Sequence, residues 1–175
     1  MKTSSLRRAT TLLAAVVALL LSACEGSPVP LSDPPAVPVD TTLAGYWEFT
    51  SPDSEPPHDR LLIVPFNRNE YYVEFYSTGI KGSDQRDTTR VRAWLTEVAG
   101  RRFANIQCLL CESEPEYLFM DVRAEDGRLL LAPIDNDLYD GFTAEMTPEQ
   151  ARAHLARALA EGSGTEEPAV FTRLR

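Results

Sequence analysis

Tyr117-Leu118-Phe119-Met120-Asp121-Val122, then Glu125-Asp126-Gly127, then Arg128-Leu129-Leu130-Leu131: two apolar runs joined by an Asp-Gly step decide the fold class of this chain. A two-residue hairpin turn needs backbone with positive φ at its centre, and Asp-Gly supplies it at low cost. Residues 117–131 therefore read as a pair of antiparallel strands. A single hairpin is marginal in water and must belong to a larger sheet.

Working outward, partners are found on both sides. Arg90-Val91-Arg92-Ala93-Trp94-Leu95 alternates, with Val91, Ala93 and Leu95 on one face and Arg90 and Arg92 on the other. After a turn at Gly100, Arg102–Gln107 can return beside it. Tyr71–Tyr76 is β-branched and aromatic and follows a turn at Asn67-Arg68-Asn69, and Leu61–Val64 is a short apolar run behind a Pro-rich loop. Tyr46–Phe49 at the front and Val170–Leu174 at the end bring the expectation to about eight strands, spaced as in a barrel or sandwich. One helix interrupts the pattern. Thr147-Pro148-Glu149-Gln150 offers an N-cap, a proline at the first helical position and a capping box. Ala151, Leu155, Ala158 and Leu159 form its apolar stripe, and Gly162 is a suitable stop, so a helix is expected at about 147–161. His154 and Arg157 are placed on its polar side, with His154 read as a surface histidine.

The first strand carries Gly45-Tyr46-Trp47, a Gly-x-Trp that resembles the opening motif of the lipocalin (calycin) superfamily. The order of elements that follows is similar to small bacterial lipocalin-like lipoproteins across most of residues 43–175. These elements are a Tyr-rich third strand, an Ala-x-Leu strand, a Tyr-Leu-Phe strand, a Leu-rich strand, a capped helix and a terminal Arg-Leu. The resemblance implies a mostly β domain over 41–175, an antiparallel eight-stranded lipocalin-like barrel with one C-terminal α-helix. It further implies that Trp47 sits at the closed base with Arg173 of the last strand over it, a barrel-closure pair.

The N-terminus decides location. A basic start (Lys2, Arg7, Arg8) precedes an apolar run from Thr11 to Leu21. That run has the length of a signal h-region and falls short of the about 20 residues a permanent span needs. Leu21-Ser22-Ala23-Cys24 resembles the lipobox of bacterial lipoproteins, which implies removal of residues 1–23 and lipidation of Cys24. The expected location is the bacterial cell envelope, lipid-anchored, on the outer membrane facing the periplasm in a Gram-negative cell. Residues 24–40 then form a tether with five prolines, expected to be an extended, largely disordered spacer.

Without Lys2, Arg7 and Arg8, 14 basic side chains face 26 acidic ones, a formal charge of −12. Such a balance argues against nucleic acid and against adhesion to anionic lipid by charge. The membrane is met through acyl chains, more than one of which is needed for stable anchoring.

Little in the chain proposes chemistry. Cys108-Leu109-Leu110-Cys111 lacks the helix and βαβ setting of a redox pair and the second ligand pair of a zinc site, so a structural disulfide is favoured. Asp135–Gly141 holds several oxygen ligands but lacks the glycine and the final glutamate of an EF-hand loop, and reads as a solvated acidic turn before the helix. Glu112, Glu114 and Glu116 read as a solvated loop. No cofactor and no metal are expected. The leading function is a non-enzymatic envelope lipoprotein that binds a small apolar ligand or an envelope protein. The alternatives are a carboxylate-dependent hydrolase, or a structural or assembly lipoprotein with a filled barrel. An open interior with its lining would separate these classes.

Overall fold

The computed structural model describes residues 26–33, 37–49, 58–77, 87–110 and 116–174. The leader, Cys24 and Cys111 lie outside the described residues.

Eight strands run in chain order: β1 (Gly45–Phe49), β2 (Arg60–Pro65), β3 (Glu70–Ser77), β4 (Asp87–Val98), β5 (Arg101–Cys108), β6 (Tyr117–Glu125), β7 (Arg128–Pro133) and β8 (Ala169–Arg173). Each pairs antiparallel with its sequence neighbour, and β8 returns to β1, so the sheet closes into an up-and-down barrel. Closure leaves no strand edge exposed to pair with another chain. A 3₁₀ turn (Asn136–Gly141) and one helix, α1 (Pro148–Ala160), fill the connection between β7 and β8.

Local chemistry sets the joints. The β6–β7 hairpin turns on Asp126 (φ 50°) and Gly127 (φ 74°), and β4–β5 turns on Ala99 (φ 50°) and Gly100 (φ 76°), both pairs left-handed as a tight hairpin requires. In α1 the Thr147 side chain accepts from the Gln150 N–H while the Gln150 side chain accepts from the Thr147 N–H. Gly162 (φ 82°) donates to the Leu159 carbonyl and Ser163 to the Ala158 carbonyl, the Schellman pair that closes a helix C-terminus.

Because successive strand residues face opposite sides, the barrel has two apolar surfaces. Inside, Leu61, Ile63, Tyr71, Phe75, Ala93, Leu95, Ala104, Val122, Leu129 and Phe171 form one buried cluster with Leu43 and Trp47. Outside, Val98, Phe103 and Phe119 of β4–β6 form a second with Ile134, Tyr139, Phe142, Ala151, Leu155 and Leu31. The helix thus lies on the outer wall.

The expected free tether is corrected over its described part. Ser27 and Leu31 are fully buried. Ser27 bridges Tyr117 at the start of β6 through two backbone hydrogen bonds of 2.9 and 2.8 Å. The Leu31 N–H donates to Asn105 Oδ1 (2.7 Å), the Leu31 carbonyl accepts from Arg152 (2.7 Å), and the Ser32 carbonyl accepts from Trp94 Nε1 (2.8 Å). Ser32 and Thr96 hydroxyls bond at 2.5 Å. Proline excludes helix and ladder here, but the backbone groups it leaves unpaired are met by polar side chains on the wall.

Candidate functional site

The end of the barrel where β1, β3, β5 and β7 begin is closed. Val37, Val39 and Leu43 pack against the inner cluster there, and the Val39 N–H donates to the Arg68 carbonyl in the β2–β3 turn. Asp40 fixes this plug: its N–H donates to Tyr71 Oη (2.5 Å) and its carboxylate takes the Arg102 guanidinium (2.5 Å). A hydrogen bond from the Thr42 side chain, followed by the Arg102 contact, holds the Asp40 carboxyl below its ordinary range despite partial burial.

Trp47 lies at this base, 1% exposed, with its Nε1 donating to the Leu43 carbonyl at 3.0 Å. Arg173 is its direct partner across the β1–β8 seam, with its guanidinium carbon 4.6 Å from the ring centroid. The same guanidinium donates to the Thr42 carbonyl (2.5 Å) and lies beside Gly45, where the φ of 148° favours glycine.

Above the base the interior holds a cavity of about 90 Å³. Its wall is hydrocarbon from Leu61, Ile63, Val73, Val91, Ile106 and Met120, among others. Among the described residues Tyr71 and Thr89 alone line it with polar side chains, and the Tyr71 hydroxyl is already engaged by Asp40. Among the described residues no carboxylate lines it. Described acidic groups with cation partners stand elsewhere, among them Glu70 with Arg92, Glu74 with Arg90, and the buried Asp121 under Arg101 (2.7 Å) and Arg123 (3.4 Å). No cluster of His, Cys, Asp and Glu suited to a metal occurs among the described residues.

The remaining expected site residues are placed as follows. Cys108 ends β5 at the open end, and Cys111 lies outside the described residues. His154, expected at the surface, is half-buried. Its ring packs edge-on against Phe142, 4.9 Å between centroids, and its Nε2 is buried without a hydrogen-bond partner among the described residues. The 3₁₀ turn brings Phe142 under α1, a contact the helical period alone does not reveal. Asp135–Gly141 likewise is no free acidic turn: Tyr139 is buried with its hydroxyl accepting from the Phe119 N–H (2.8 Å), and Asp135 accepts from the Gly164 N–H (2.7 Å). Sequence reasoning missed Asn105, the buried amide that joins Leu31 to Thr96 and the Trp94 carbonyl. The available signal was a polar residue between Ala104 and Ile106 in an apolar strand.

Set beside family models, curated proteins and solved structures, the chain matches none.

Proposed function

We propose that this chain is a lipid-anchored envelope protein whose lipocalin-like barrel binds a small apolar ligand. The observation that carries the reading is the cavity: a hydrocarbon wall among the described residues, with the Tyr71 phenol already bonded. Such a lining rewards transfer of apolar surface from water and offers a polar substrate little beyond the Thr89 hydroxyl to orient it. At about 90 Å³ it is smaller than the roughly 150 Å³ apolar cavity that takes up benzene, so the ligand is small or enters by the end of a chain. The hydrolase alternative has no carboxylate in the lining among the described residues to support it. Trp47 under Arg173 at a plugged base supports the lipocalin likeness, and Leu21–Cys24 supports acylation of Cys24. We place Cys108 and Cys111 in a disulfide at the open end.

The test is titration of the protein with cis-parinaric acid, a single-chain polyene that can enter by its end and whose emission rises on leaving water. Saturable enhancement is expected, and it should vanish in Ala104→Phe, which fills the cavity from its wall. Circular dichroism of that variant establishes that it is folded. Equal enhancement in both proteins, or none in either, would overturn ligand binding in the barrel.

A further inference from the structure

Strand directions and the path of the N-terminal segment together orient the barrel. Strands β2, β4, β6 and β8 begin at the open end, and Ser27 is bonded there to Tyr117, the first residue of β6. Leu31 and Ser32 lie on the outer wall at Asn105 and Thr96, and Val37, Val39 and Leu43 lie at the base. The docked chain thus starts at the mouth and ends at the plug. Only Glu25 separates Gly26 from Cys24, so the cysteine lies within about 7 Å of Gly26 along any path of the chain. Gly26 is itself pressed on the wall: a Cβ there would sit 2.6 Å from Glu116 Cβ. The same rim carries an apolar pair. Gln107 and Tyr117 form the last β5–β6 register pair, and two residues beyond Gln107 come Leu109 and Leu110, 47% and 71% exposed.

From this arrangement we infer that the barrel stands mouth-down on the lipid surface, with Leu109 and Leu110 entering the bilayer boundary beside the acylated Cys24. The inference rests on the proposed acylation and goes beyond it. A long free spacer would let the domain tumble; a docked one sets a single orientation. Exposed leucines add apolar burial to the acyl chains where net negative charge gives no attraction. The cavity then opens toward hydrocarbon, and an apolar ligand passes between bilayer and barrel without crossing water. The base, with Phe66 exposed in the β2–β3 turn, points away.

The orientation is tested on the full lipidated protein in phosphatidylcholine vesicles carrying acyl-chain bromine, which quenches nearby tryptophan. Leu110→Trp should lose a large part of its added emission, whereas Phe66→Trp at the opposite end should lose none. Gly26→Val, which forces the segment off Glu116, should reduce the contrast between the two positions. Mass spectrometry of Cys24 on the same preparation reads the anchor separately. Acylated Cys24 with Phe66→Trp quenched, or with neither position quenched, overturns the orientation and leaves the anchor standing. Unmodified Cys24 with no quenching overturns both.

Discussion

Trp47 and Arg173 face each other across the seam where the first strand meets the last, the guanidinium 4.6 Å above the indole and tied to the Thr42 carbonyl. They are far apart in sequence, and their contact exists only because the sheet closes. Trp47→Ala should cost about 3–5 kcal/mol by urea unfolding, since it empties the base and strands the Leu43 carbonyl. Arg173→Lys should cost about 1 kcal/mol, because an ammonium cannot stack a plane on the ring. A double-mutant cycle separates the pair from the two losses; a coupling near zero would mean the guanidinium only covers the ring.

Asn105 connects the docked N-terminal segment to the wall. Asn105→Ala removes the acceptor of the Leu31 N–H, while the Trp94 carbonyl keeps its place in the β4–β5 ladder. A buried donor left without its partner costs about 1–3 kcal/mol. The segment should detach before the barrel unfolds. Limited proteolysis should therefore cut near residues 26–33 in the variant while the barrel core resists, and the wild type should be cut at neither place.

How much of this was legible depended on whether the deciding contact was local. The Asp126-Gly127 turn was readable because its backbone demand is met by the two residues themselves. Inward Val91, Ala93 and Leu95 were readable for the same reason, since alternation is a property of one strand. Trp94 was not: it points outward yet is 1% exposed, because a segment some sixty residues earlier lies over it. Composition rightly excluded helix and strand from the Pro-rich stretch, yet lack of secondary structure is not lack of docking. Whether the interior holds a cavity was not legible, because its size follows from side chains on seven strands, β2 to β8, at once.

On the outer wall Glu74 accepts from the Tyr72 hydroxyl (2.6 Å), from the Tyr76 hydroxyl and from Arg90 (3.1 Å). These donors, Tyr72 first, hold its carboxyl at about 2, against an ordinary 4.5. A carboxyl depressed on folding stabilises the native state fully above its unfolded value. That contribution is lost as pH falls from 4.5 through 2. The Tyr76 phenol, raised to about 12 by the same carboxylate, loses its contribution as pH rises from 10 through 12. Glu74→Gln should therefore flatten both limbs of the melting temperature against pH. An unchanged acid limb would show that the cluster is broken in solution.

The last prediction concerns His154 and Gly141. A Cβ built on Gly141 would lie 2.4 Å from His154 Nε2 and 2.5 Å from Cε1, closer than any real contact. The ring cannot swing freely aside, because Phe142 meets it edge-on at 4.9 Å and the backbone beneath is the middle of α1. Gly141→Ala should thus overpack the junction of the 3₁₀ turn with the helix and cost about 1–3 kcal/mol. His154→Ala opens the space the methyl needs, and alanine is the best helix former. In that background Gly141→Ala should cost a few tenths of a kcal/mol at most. The coupling, read from urea midpoints of the four proteins, should exceed about 1 kcal/mol and favour the double variant. Equal costs in both backgrounds would mean that Gly141 is required for its backbone and that the imidazole is not what crowds it.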